Sequence, residues 1–277
     1  MRRDNRNNRD HRLLIVWLAV SVILSVLTVW ARTEERRREN LWETSIPDAG
    51  FAVPTLGMSS PEGSEGDSGA VEKICCLTFD DGPSRNTQDI LQILRDKKVH
   101  ATFFVTAQPA NEPYLPLLAD IEAQGHQIAM HSASHNYSKI YRSTTDFWLD
   151  IKELRQQISP YVSVEKIHWL RFPGGSTNTI SHRYGGRSIM QELKQDAEEK
   201  DYRWIDWNVC GEDATAGHPN AARILKNIQE DAKDQPLCVV LLHDTKATGQ
   251  TVKALPDIID WFAAQGYRFC TVEEMAE

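Results

Sequence analysis

From Val71 onward the chain alternates short, continuous apolar runs with longer amphipathic stretches. The runs at 73–79, 101–105, 127–130, 168–172, 203–207, 237–242 and 267–270 predict strands. The amphipathic stretches at 87–97, 113–124, 145–159, 187–200, 219–233 and 251–265 predict helices. Thr87 and Thr251 stand where N-caps are expected, and Gly125 and Gly266 lie just past helix ends. Strands that are apolar on both sides fit a sheet covered by helices on both faces. Strand–helix alternation over the whole segment predicts a mainly parallel α/β barrel or doubly wound sheet. In barrels of this kind, functional residues gather at the C-terminal ends of the strands.

The N-terminal pattern is different. Residues 13–30 (LLIVWLAVSVILSVLTVW) contain no charge, and as a helix they span about 27 Å, the thickness of a bilayer's hydrocarbon core. Residues 1–12 carry five arginines against two aspartates, which favours a cytoplasmic N-terminus and an exported body. The flank after residue 30 also carries arginines, so the charge asymmetry is diluted. The segment is read as a transmembrane signal anchor, the alternative being secretion after cleavage near Ala31. Residues 31–70 read as a stem, charged at first and Gly/Ser/Glu-rich over 57–70, and residues 71–277 as the catalytic domain.

Net charge of −8 argues against nucleic acid as the main partner, because phosphate binding needs clustered Lys and Arg. The five cysteines show no CxxC spacing. Cys75, Cys76 and Cys238 fall inside strand runs, where cysteine acts as a small hydrophobe.

The strand ends carry the chemistry. The first ends in Asp80-Asp81-Gly82-Pro83. Adjacent carboxylates repel unless a cation or proton separates them; Asp-Gly-Pro is also ordinary turn chemistry. The third runs into His131 and His135, whose spacing lets both face one metal. With Asp81 they make three protein ligands and leave a position open, the pattern of a catalytic site for Zn, Co, Ni or Mn. Leu241-Leu242-His243 places a further histidine at a strand end. Asp80 as base and His243 as acid would suit hydrolysis of an amide or ester. The fourth strand ends in Arg171-Phe172-Pro173-Gly174-Gly175. Its arginine can hold Asp80 ionised, and its glycines allow the Gly174 N–H to approach a developing oxyanion. The fifth leads through Asp206 and Trp207 to Cys210 and Asp213, with Trp207 either core or the wall of a sugar groove.

Taken together, TFDDG at 78–82, HSASH at 131–135, RFPGG at 171–175, WNVCGED at 207–213 and LLH at 241–243 resemble the motifs of the polysaccharide deacetylases. These are the carbohydrate esterases of family 4, with a NodB homology domain. The resemblance implies a deformed (β/α) barrel and hydrolysis of N-acetyl groups on amino sugars or O-acetyl groups on xylan. It also implies Asp80 as catalytic base, His243 as catalytic acid, and Asp81, His131 and His135 as ligands of one divalent ion, most simply zinc. Arg171 would pair with the base, and Leu241 would line the acetyl pocket. Pro173, Gly174 and Trp207 would border the substrate. Many members place an aromatic residue where Gly174 stands, and an aspartate where Cys210 stands. Asp213, or Asp206 behind it, is expected to support His243 instead. With an exported body, the resemblance points to N-acetylglucosamine of peptidoglycan. Chitooligosaccharide, acetylxylan and a silent glycan-binding role are the alternatives.

Overall fold

The computed structural model describes residues 72–233 and 235–277. The membrane helix expected over 13–30 and the stem over 31–70 lie outside the described residues. Among the described residues, no helix is long and apolar enough to cross a membrane.

The element order is β1 (Lys73–Asp80), α1 (Thr87–Lys97), β2 (Thr102–Thr106), α2 (Leu117–Ala123), β3 (Gln127–Ser132), α3 (Tyr137–Ile140) and α4 (Thr144–Ile158). It continues with β4 (Trp169–Leu170), α5 (His182–Gly185), α6 (Ile189–Glu199), β5 (Arg203–Trp204), β6 (Val209–Cys210) and α7 (Ala221–Asp231). The last elements are β7 (Leu237–His243), α8 (Gly249–Ala264), β8 (Tyr267–Phe269) and α9 (Val272–Ala276). The strands follow the order β5-β4-β3-β2-β1-β7-β6, with β8 added on β1, and every pairing is parallel. Among the described residues no pairing joins β5 to β6, so the expected barrel is an unclosed, half-barrel sheet.

Both faces of β1 are buried, which is why its sequence reads as an unbroken apolar run. Cys75, Leu77 and Phe79 point into the large core with Ile90 and Leu94 of α1 and Ile258 and Phe262 of α8. Phe79 stacks on Phe103 of β2 with ring centroids 5.1 Å apart. Cys76 points the other way and packs with Phe104, Ala129, Trp169 and Val239 inside the curved sheet. By the two-residue period of a strand, Thr78 and Asp80 share that inner face. The same alternation puts Leu241 and His243 on the Val239 side of β7. All five thiols are unpaired; Cys75, Cys76, Cys238 and Cys270 are buried, and Cys210 is partly exposed.

Most helices match their expected spans within a few residues, but the caps differ. Thr87 is already inside α1, after Asn86, and its hydroxyl accepts from the Ser84 N–H at 2.7 Å. Thr251 is the third residue of α8, and its hydroxyl is taken by Asp213 at 2.7 Å. Each hydroxyl donates to a distant carboxylate, Thr87 to Asp244 at 2.6 Å and Thr251 to Asp213. Gly125 and Gly266 do end their helices, with φ of +80° and +81° that glycine adopts without strain. β4 and β5 are reduced to two residues each, and the two-residue β6 arises where WNVC showed no strand pattern.

Candidate active site at the strand ends

β1 and β7 run side by side with Asp80 opposite His243, and β3 delivers His131 to the same end. Three strand tips thus converge on the inner side of the sheet. The chain then turns sharply at Asp81, whose φ of +69° swings its carboxylate out of the strand's alternation. The Asp81 carbonyl is held by the Asn111 side-chain amide at 2.9 Å and the Thr106 hydroxyl at 3.0 Å.

Asp81, His131 and His135 each offer a ligand atom, and these atoms all lie within 4.8 Å of one another. His135 Nε2 is 3.4 Å and His131 Nε2 3.6 Å from Asp81 Oδ1. Asp81 Oδ1 is buried and has no hydrogen-bond partner. An unsatisfied buried carboxylate oxygen is costly, and two imidazole nitrogens beside it make a divalent cation the fitting partner. His131 is prepared for that role. Its Nδ1 donates to the Arg171 carbonyl at 2.7 Å, which leaves the Nε2 lone pair facing Asp81. Burial lowers His131 to about 3 against the pull of Asp81, so the ring is neutral, as a ligand must be.

Asp80 is held differently. Arg171 Nη1 donates to Asp80 Oδ1 and to the Thr78 hydroxyl, both at 2.8 Å. The guanidinium is fully buried over the Phe104 ring at 4.1 Å, and it also donates to the carbonyls of Ile205 and Asp206 at 3.1 Å. Burial raises the Asp80 carboxyl above its usual range, while Arg171 and His243 pull it back down. A base with opposed influences of this kind can both lose and take a proton.

At His243, Nδ1 donates to Asp213 Oδ1 at 2.8 Å. Asp213 Oδ2 accepts from the His243 backbone N–H at 2.9 Å and from Thr251. Burial would lower this imidazole, but Asp213 first, then Asp81 and Asp80, raise it to about 9. The ring is therefore cationic at neutral pH, with Nε2–H left for proton transfer. Asp206, the second candidate for this support, is elsewhere: its carboxylate accepts from the Ser176 N–H and hydroxyl at 2.8 and 2.6 Å. The turn of the 171–176 loop requires it there.

Pro173 and Gly174 border this end of the sheet. The Pro173 carbonyl accepts from the Tyr141 hydroxyl at 2.6 Å. Gly174 is exposed with φ of +78°. Trp207 is half-buried beside Arg171, and a Cβ on Gly175 would meet its ring at 3.2 Å. Leu241 is buried, paired in register with Thr78 and Cys210.

The polysaccharide deacetylase family pattern matches residues 67–193. A peptidoglycan-N-acetylglucosamine deacetylase of Bacillus cereus is 31% identical over 74% of this chain and 88% of its own length. The chain belongs to the polysaccharide deacetylases. A catalytic domain of peptidoglycan N-acetylglucosamine deacetylase from Eubacterium rectale superposes with a TM-score of 0.68, at 35% identity over 74% of this chain and 90% of that one. A bifunctional xylanase/deacetylase of Pseudobutyrivibrio xylanivorans is 30% identical, and there the match spans only 35% of the relative's length. These likenesses place the chain among the deacetylase hydrolases of carbohydrate esterase family 4, whose members are metal-dependent.

Two supports of this deacetylase site were missed from sequence. Asp150, buried on α4, receives the Ser132 hydroxyl at 2.6 Å, the Ala133 N–H at 2.8 Å and both the N–H and hydroxyl of Ser134. It shapes the turn that brings His135 round, at φ of +49°. Its signal was present: a carboxylate in the apolar stripe with Phe147, Ile151 and Leu154. Asp244 accepts from the hydroxyls of Ser84 and Thr87 at 2.7 and 2.6 Å and fixes the loop after Asp81. A Cβ on Gly82 would sit 2.5 Å from Asp244 Oδ2, so only glycine fits there.

Proposed function

We propose that this deacetylase removes the N-acetyl group from N-acetylglucosamine of a cell-wall glycan, with Asp80 as base and His243 as acid. The observation that carries the reading is the pairing of two opposed proton-handling units. Asp80 is clamped by Arg171 and His243 by Asp213, on adjacent strand tips beside the Asp81–His131–His135 set. Those three residues would hold one divalent ion, zinc by its donor set, with cobalt, nickel or manganese also suited. Such an ion supplies Lewis acidity and lowers the pKa of a water molecule. Asp80 Oδ2, left over by the Arg171 contact, takes the proton of the attacking water. His243 Nε2–H gives one to the leaving nitrogen. The Gly174 N–H stands near the acyl oxygen as it becomes anionic, and Trp207 and Leu241 border the sugar and its acetyl group.

Peptidoglycan is preferred as substrate because the B. cereus and E. rectale relatives carry that activity in their names. The apolar segment at 13–30 supports an outward-facing enzyme held at the cell membrane. The test is acetate release from N-acetylglucosamine oligomers and from peptidoglycan, with and without chelator. Asp80→Asn should lower it about 10³-fold or more, and His135→Ala should abolish it. Release unaffected by either substitution would sink the mechanism, and activity on acetylxylan alone would overturn the substrate.

A further inference from the structure

Tyr137 opens the short α3 that follows His135 and Tyr141 caps its end one turn later, and both lean on the 171–176 loop. The Tyr141 hydroxyl is spent on the Pro173 carbonyl at 2.6 Å. The Tyr137 hydroxyl makes no hydrogen bond among the described residues, yet it is not one of their buried unpartnered atoms, so it opens to solvent. Its ring packs edge-on to His135 with centroids 5.6 Å apart and against Tyr141 at 5.5 Å.

Its position is set by Gly174. A Cβ built on that residue would lie 2.5 Å from Tyr137 Oη and 3.3 Å from Cε1. The phenol therefore occupies the space where any other residue would begin its side chain. The Gly174 N–H has no partner among the described residues either. Two unspent donors, one backbone and one side chain, thus stand together beside the ring of a metal-ligand candidate.

We infer that Tyr137 donates its phenol O–H to the substrate's acyl oxygen as that oxygen becomes anionic, beside the Gly174 N–H. A fixed donor contributes most where negative charge develops. The inference rests on the deacetylase reading. It adds to that reading a side-chain donor from the His135 turn, on the face where Gly174 presents none.

Tyr137→Phe removes one oxygen and keeps the ring against His135. Its kcat on N-acetylglucosamine oligomers should fall about 10²-fold, with KM within threefold and zinc content, read by elemental analysis, equal to wild type. Retained kcat would overturn the inference. So would a loss confined to KM, which marks a sugar contact, or a loss of zinc, which marks a structural prop for His135. A wild type that releases no acetate would overturn the deacetylase reading itself; an active wild type with an unaltered Tyr137→Phe overturns only the role of Tyr137.

Discussion

On the β1–β3 side of the site a buried carboxylate oxygen, Asp81 Oδ1, is left without a hydrogen bond, whereas on the β7 side both oxygens of Asp213 are taken. The first side leaves a carboxylate oxygen that a cation would satisfy. The second is complete as it stands and holds a proton on His243. Two acidic residues of similar burial thus do opposite work, and the difference lies in what surrounds them. Asp81 faces two imidazole nitrogens, and Asp213 faces donors.

The largest effects should come from breaking the first side. His135→Ala should lose the bound divalent metal by elemental analysis and all measurable acetate release. Asp80→Asn should lower kcat by about 10³-fold or more while zinc stays bound; zinc loss in that variant would mean that Asp80 is a ligand and not a base. The second side sharpens the contrast. Asp213→Asn should lower kcat by about 10²-fold and leave zinc content unchanged. Wild-type kcat/KM should hold to about pH 9 and fall above it as His243 deprotonates. In Asp213→Asn that limb should move to lower pH, because the largest of the charges that raise the imidazole is gone and burial lowers it against Asp81 and Asp80 only. A limb that does not move would assign it to another group.

An intermediate effect is expected at Asp150→Ala, which leaves several donors of the His135 turn unpaired. Zinc affinity by competition titration should weaken about 10-fold, and chemical denaturation should show a loss of about 3 kcal/mol. The smallest belongs to an ion pair standing in water. Arg142→Ala removes a 2.7 Å contact to Asp146 near the N-terminus of α4, and the melting temperature should not measurably change.

The residues that were legible in the sequence sit at the ends of unbroken apolar runs. Asp80, His131, Arg171 and His243 were visible because charge at the end of a buried strand is conspicuous. What was not legible depended on distant partners. Thr251 reads as a cap until Asp213 claims its hydroxyl, and Asp206 reads as support for His243 until the 171–176 loop takes its carboxylate. Tyr137 was passed over because an aromatic residue after a histidine motif carries no signal until Gly174 is folded beneath it. β6 has only two residues, too short to show a period.

The place of β1 in the sheet has a consequence for how the molecule is made. β1 is the first described strand, and it pairs with β7 and β8, nearly the last. The Thr78 hydroxyl donates to a carbonyl 162 residues further along. A nascent chain therefore carries β1 without its β7 and β8 neighbours, and Asp80 without His243 opposite it, until almost all of the domain has been synthesised. Long-range parallel pairing of this kind slows folding and leaves strand edges exposed to aggregation meanwhile. Loss of α8, β8 and α9 would uncover the inner strand on which the active carboxylates stand, so these elements are a prerequisite for the chemistry although every proposed reacting group precedes them.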